Sequence, residues 1–462
     1  MASFIKKNFW FLLIIGFLIR IFFSGLSSWN KDVAVWYRLA NDISEGFGAY
    51  GNLNFSYPPG LAIIFSLTLI PIIYLLPFAN WGVYDSSVTT IGGDTWLFDP
   101  IITSPIFNFL FKIPIFAAEI FLLYLLYRYL KERTGKDDIA KTVVIFWYFN
   151  PLIIFINAIH GQLDIYPVLF LFLAMVLFYL RKDFFSGILF GISITMKIFP
   201  VIFLPFILLF VFYRDWHDKA KQKLLNLIQF FLGIIIFPIF LFFLFSKSEF
   251  VNTLVFTRFS TIGFEGSLNI GLINYIPSLS NFIAKNESLF LYIEKYGLII
   301  GLALLFLWII MNINKASDKF REFPLEIIFV LSLFLLYFFS QRTNPNYIIW
   351  CLPFILVLCA IKIIPYYLYW LLSLSGFIFY LGIYSLAYKL LFISSSKFLG
   401  WPNFQELINQ YIKLRSLKGI INDTILEDVF LFSALLFYLV FIFIVTRLLN
   451  LIKKKSVKKI SY

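Results

Sequence analysis

The sequence predicts an all-α polytopic transmembrane protein of about twelve spans, and three observations carry that prediction. The first is composition: 61% of the 462 residues are hydrophobic and 14% are charged, with a mean hydropathy of +0.88. A soluble domain cannot cover so much apolar surface with so few polar groups. The second is length. Crossing about 30 Å of hydrocarbon takes roughly 20 apolar residues per helix, and such runs recur from Phe9 to Leu449. The third is charge placement. The formal charge of +13 is gathered at Lys6-Lys7, Arg128 to Lys141, Arg181-Lys182, Arg214 to Lys223, Lys315 to Arg321, Lys362, and Lys453 to Lys459. Short clusters beside apolar runs follow the positive-inside bias and give nucleic acid no continuous basic face.

With every cluster on the cytoplasmic side the topology closes. Spans then fall near residues 9–26, 105–128, 141–158, 164–181, 184–199, 200–213, 224–246, 291–313, 324–340, 346–361, 363–390 and 429–449, with both ends inside. The run Pro58 to Ala79 is apolar enough to span but breaks the parity, so it reads as a hairpin or re-entrant segment covered by neighbouring protein. Pro200 divides the short pair between Arg181 and Arg214 into two helices meeting at the outer surface. The apolar run after Lys6-Lys7 is read as a retained first span, because no small-residue cleavage pattern follows Gly25. Cys351 and Cys359, eight apart on one apparent helix, cannot bond each other. His160 and His217 are the only histidines, too few for a structural zinc site.

On this topology five polar or turn-forming elements collect on the outer side. Trp29-Asn30-Lys31-Asp32 is followed by Trp36, Leu39, Ala40 and Ile43, a helical stripe that reads as an interfacial amphipathic helix. Asp32 at its start is either a helix N-cap or a reactive carboxylate. Phe55-Ser56-Tyr57-Pro58-Pro59-Gly60 makes a rigid turn back into the membrane, which a purely structural role explains. Asn157 to Asp164, reading NAIHGQLD, sets His160, Gln162 and Asp164 within five residues of one another. Such polar groups at a membrane boundary are costly unless they meet water, a partner or a ligand. Thr195 to Pro200 places Lys197 at the end of a short apolar helix, where it either snorkels to the interface or supplies a point charge for phosphate. Gln341 to Tyr347 adds Arg342, so Lys197 and Arg342 together form a candidate phosphate clamp. Lys112 and Glu119, seven apart within one span, are positioned to pair on one helix face.

The order of these motifs resembles the C-type (GT-C) glycosyltransferases, multi-pass enzymes that use polyprenyl-phosphate sugars. Asp32 to Gly60, with Glu45-Gly46, Tyr50 and the YPPG turn, resembles the superfamily's first outer loop. Trp147 to Pro151, then HGQLD, then Gly187 to Lys197-Ile198-Phe199-Pro200, resembles a segment shared by GPI-anchor first mannosyltransferases and their prokaryotic relatives. Asn346-Tyr347 to Pro353 resembles a later outer-facing motif. One position departs from the pattern: where many members carry Asp-x-Asp, this chain reads Asp32-Val33-Ala34, which weakens any metal-binding role there.

The resemblance implies a GT-C-like transmembrane catalytic module at 1–246 with a first outer loop at 27–104. A C-terminal transmembrane module at 247–462 would follow, with outer loops at 248–290, 341–346 and 392–428. It implies inverting transfer of a sugar, mannose by nearest likeness, from a polyprenyl or dolichyl phosphate to a glycan, glycolipid or protein acceptor. Asp32 would be the general base, while Lys197, Arg342 and His160 would bind the donor phosphate. Gln162, Asp164, Tyr57, Asn346 and Tyr347 would contact sugar or acceptor. A monophosphate donor requires no metal or other cofactor. The location implied is a prokaryotic plasma membrane with the site on the outer face, or the lumenal face of the endoplasmic reticulum in a eukaryote. Two other classes fit a polytopic chain. A secondary transporter would show internal symmetry and midplane charges, and an envelope ligase or polymerase would carry one large basic outer loop.

Overall fold

The computed structural model describes residues 2–26, 59–64, 67–68, 83–85, 101–103, 105–214, 220–244, 285, 287–313, 318–339, 345–383 and 423–453. Helices dominate, because in lipid every backbone N–H and C=O must be satisfied within its own segment. In chain order they are α1 Ala2–Leu26, α2 Pro105–Thr134, α3 Asp137–Tyr148, α4 Pro151–Ile154, α5 Ile165–Tyr179, α6 Asp183–Met196 and α7 Leu204–Arg214. Then come α8 Ala220–Leu244, α9 Glu287–Asn312, α10 Asp318–Glu322, α11 Pro324–Phe339, α12 Leu352–Ala360, α13 Tyr366–Ile383 and α14 Asp423–Lys453. One apolar cluster runs from Ile5 to Ile452. Helices α1, α2 and α3 pack on one another, α5 bridges α2 and α6, α12 lies against α2, α3, α11 and α13, and α14 closes on α13.

Among the described residues, helix falls within each of the twelve expected segments. Four helices are long and apolar enough to cross a membrane, at Ser3–Gly25, Phe107–Thr134, Ala220–Leu244 and Phe432–Lys453. Six shorter apolar helices accompany them. The expected 141–158 span is a fifth candidate, broken by a 52° bend between α3 and α4. Pro151 cannot continue α3 and instead starts α4, where Asn150 caps it by accepting from Leu152 N at 3.0 Å. The Asn150 amide also donates to Tyr369 Oη at 2.6 Å and Ser373 Oγ at 2.7 Å, fixing the bend against α13.

The all-α reading holds, with one two-stranded antiparallel ribbon beside the helices, β1 Val83–Asp85 with β2 Ile101–Thr103, at a place rich in β-branched residues. Two expectations are corrected. Glu119 does not pair with Lys112. It takes a bidentate bond from Arg20, Nη2 at 2.6 Å and Nε at 2.9 Å, because α1 packs beside α2 and brings a planar fork to the carboxylate. Cys351 precedes α12 rather than sharing a regular helix with Cys359, since 345–350 is a 3-10 turn; both thiols are free and buried. Of the proposed re-entrant run, residues 59–64 are helical and 59–62 are buried. The amphipathic helix expected after Asp32 lies outside the described residues.

The contacts give the bundle two unlike ends. Lys6 with Asp138 (3.2 Å) and Arg214 with Asp183 (3.0 Å) lie at one end, where the basic clusters gather. Arg133 stacks over Tyr179 there (4.5 Å), and Tyr179 Oη donates to Glu326 at 2.7 Å. The ends of α1, α6, α11 and α13, with the starts of α2 and α5, form the other end.

Candidate active site

At that second end the chain breaks its helices three times. Residues Phe155–His160 widen into a π-helix that Gly161 stops at φ 78°. Local widening of this kind re-aims side chains and recurs at functional positions. An added Cβ at Gly161 would come within 3.0 Å of Lys112 Cε, so glycine is required for conformation and for space. Helix α6 ends at Lys197, whose backbone is extended, and Pro200 opens the 3-10 turn Phe199–Phe203. A second 3-10 turn, Pro345–Trp350, leads into α12.

These breaks meet at Asp164, which is fully buried. Its Oδ1 accepts from Lys197 Nζ at 2.6 Å and Trp350 Nε1 at 2.8 Å, and its Oδ2 accepts from Asn346 Nδ2 at 2.7 Å. A buried carboxylate needs such a set of donors to offset lost hydration. The Lys197 ammonium also lies 4.6 Å from the Tyr347 ring centroid and 5.4 Å from that of Trp350, two faces that favour a cation. The Trp350 indole is held between Phe199 (3.8 Å, 6°) and Tyr347 (4.1 Å, 16°). Tyr337 Oη donates to Tyr347 O at 2.6 Å, tying the 3-10 turn to α11.

A second cluster adjoins through the HGQLD stretch. His160 Nδ1 hydrogen-bonds Tyr380 Oη, and Gln162 Nε2 lies 2.9 Å from His160 Nε2. Lys112, fully buried, donates to Ser24 O and Ile159 O, both at 3.0 Å. It thereby satisfies the last turns of α1 and of the π-helix. Asn157 in that π-helix is buried with neither amide atom partnered, and Asn346 Oδ1 is likewise without a hydrogen bond.

Pro59-Gly60, the described half of the YPPG stretch, reaches the same place. A Cβ on Gly60 would lie 2.6 Å from Thr195 Oγ1 and 2.7 Å from Thr195 O, so backbone touches backbone two residues before Lys197. Four of the stretches singled out in the sequence therefore converge: the Pro59-Gly60 half of YPPG, HGQLD, the Lys197 turn and Asn346-Tyr347. Asp32, Tyr57 and Arg342 lie outside the described residues. Trp350 and Lys112 belong to the cluster without having been assigned to it. Trp350 sits inside the Asn346 to Pro353 stretch, which was a usable signal, whereas Lys112 in a long apolar run was legible only as a costly buried charge. Among the described residues no group of three or more His, Cys, Asp or Glu could hold a metal ion.

The profile of glycosyltransferase family 87 matches residues 96–336, more than half of the chain, including Lys112, the HGQLD stretch and Lys197. Comparison with curated proteins finds no match. The match supports the membrane glycosyltransferase expected from the sequence over the transporter alternative. By that match, and by helices built to cross a bilayer around a polar cluster at one end, the chain belongs to glycosyltransferase family 87, a C-type family of membrane glycosyltransferases.

Proposed function

We propose that this glycosyltransferase moves a sugar, mannose in the first instance, from a polyprenyl-phosphate donor to a glycan, glycolipid or protein acceptor on the non-cytoplasmic face, with inversion. The observation that carries the reading is the meeting of Lys197 with Asp164, Asn346 and Tyr347. A lysine held by one carboxylate and two aromatic faces is a fixed positive point at the edge of an apolar bundle, which suits a lipid phosphate.

In this mechanism Asp32 takes the proton of the acceptor hydroxyl as its oxygen attacks the anomeric carbon. The bond from that carbon to the phosphate oxygen breaks on the opposite face, and polyprenyl phosphate departs with the electron pair. Lys197, Arg342 and His160 stabilise the charge that develops there. Asp164 keeps Lys197 aimed while lying close enough to meet a sugar hydroxyl. Gln162, Tyr57, Asn346 and Tyr347 supply the remaining contacts, the open Asn346 Oδ1 being an acceptor for one such hydroxyl. The chemistry calls for no metal, because a monophosphate lacks the diphosphate that recruits one.

The test is transfer by purified protein from short-chain polyprenyl-phosphate mannose to mixed glycolipid acceptors, following release of polyprenyl phosphate. Asp32→Asn is expected to lower the rate by about two to four orders of magnitude with folding intact. Undiminished transfer in that variant would assign the base elsewhere, with Asp164 next. An inert wild type with mannose, but active with glucose or arabinose donors, would correct the sugar and leave the mechanism standing.

A further inference from the structure

The opposite end of the bundle holds a groove that this reaction does not use. It encloses about 570 Å³ between the turn after α12 and the last three turns of α14, and is lined by Lys362, Ile363, Phe443, Thr446, Arg447, Asn450, Leu451 and Lys453. Three of the eight are cations and none is an acid. Among the described residues neither Lys362, Arg447 nor Lys453 forms an ion pair, whereas Lys6, Arg214 and Lys141 at this end are paired with Asp138, Asp183 and Asp137. Helix α12 separates the groove from the Asn346 to Trp350 turn by nine residues, about 14 Å of helical rise.

The lining has a direction. Phe443, Thr446, Arg447 and Asn450 follow i, i+3, i+4, i+7 spacing and so share one face of α14. Phe443 lies ten residues, about 15 Å, deeper along the helix than Lys453 and is half exposed. A ligand filling the groove meets aromatic surface at its inner end and cations with the Asn450 amide at its mouth. We propose that this groove is a binding site for an anionic phospholipid of the leaflet at the basic end, its phosphate between Lys362, Arg447 and Lys453 and its chains along Phe443. Charge complementarity selects an anionic head, and the apolar inner end selects an amphiphile over a free phosphate.

Lys362 permits a clean test. It sits at φ +61°, just past α12, where Ile363 N and Ile364 N both donate to Leu358 O at 2.9 and 3.2 Å. Glycine adopts that backbone more readily than lysine, so Lys362→Gly removes a cation without harming the fold. The full-length protein in neutral detergent is titrated with fluorescent short-chain phosphatidylglycerol, with phosphatidylcholine of the same chains in parallel. Wild type is expected to prefer phosphatidylglycerol at least tenfold. The double variant Lys362→Gly/Arg447→Gln is expected to lose about tenfold or more of that affinity, and 0.5 M salt to weaken wild-type binding. Equal binding of the two lipids, unchanged affinity in the double variant, or full competition by glycerol phosphate would each overturn the proposal.

Discussion

Among the described residues two ion pairs have both side chains at least nine-tenths buried, and they are built for different ends. Arg20 and Glu119, with 1% and 0% of their side chains exposed, join two continuous helices. The guanidinium uses four hydrogen bonds, two to Glu119 and one each to Gly16 O (3.0 Å) and Tyr148 O (2.9 Å). It lies 3.8 Å over the Tyr148 ring, while Trp147 Nε1 donates to Glu119 at 3.2 Å. The set is closed from every side, a planar fork that fixes the register of α1, α2 and α3. Lys197 and Asp164, 10% and 0% exposed, join two helix ends instead. There the carboxylate accepts three hydrogen bonds and keeps acceptor capacity to spare, and the cation is a point charge held at a break in the chain. Arginine specifies geometry and lysine offers charge, so the first pair reads as architecture and the second as chemistry.

The comparison can be broken from either side. Glu119→Gln leaves the Arg20 guanidinium buried without a counter-charge and is expected to cost about 3–5 kcal/mol. Thermal unfolding followed by size-exclusion chromatography would show it, and whatever protein stays folded should keep near wild-type specific activity. Lys197→Gln is expected to lower transfer by about 10²- to 10³-fold and also to destabilise, since Asp164 is then unpaired. Adding Asp164→Asn should restore most of the melting temperature but none of the activity. Recovery of activity in the double variant would make the second pair architectural too.

Smaller effects sharpen the boundary of the site. Gly60→Ala forces the 59–64 helix off Thr195 and is expected to cost about 1–3 kcal/mol. Its signature would be a raised KM for the donor, because the displaced backbone carries Lys197. Tyr380→Phe removes the partner of His160 Nδ1 and is expected to cost about 0.5–1.5 kcal/mol, with transfer falling less than tenfold. A loss as large as that of Lys197→Gln would move His160 to the centre of the chemistry.

Much of this was legible in the chain. Apolar runs of span length and basic clusters between them located every described long helix, because the bilayer punishes any other arrangement. HGQLD, the Lys197 turn and Asn346-Tyr347 could be singled out because each places polar groups where lipid makes them costly. Lys112 was misread for the same reason that it was noticed. A buried lysine demands partners, and Glu119 was the nearest acid in sequence, but its partners are the carbonyl groups of Ser24 and Ile159 on other elements.

The sequence by itself determined that the protein lives in a membrane, which of the described segments are helical, and which few polar residues need an explanation, since hydropathy and spacing are properties of the chain alone. Only the tertiary structure decided who pairs with whom. Asp164 meets Asn346 across 182 residues and Arg20 meets Glu119 across 99. Side-chain pairing depends on helix contact and rotation about the helix axis, and closely packed glycines set that contact without advertising their partner. Gly187 and Gly233 bring α6 and α8 into backbone contact, where an added Cβ would fall 2.1 Å from Phe230 O and 2.2 Å from Phe184 O. Nothing in either local sequence names the opposing helix, because close packing is a relation between two surfaces and is written in neither one alone.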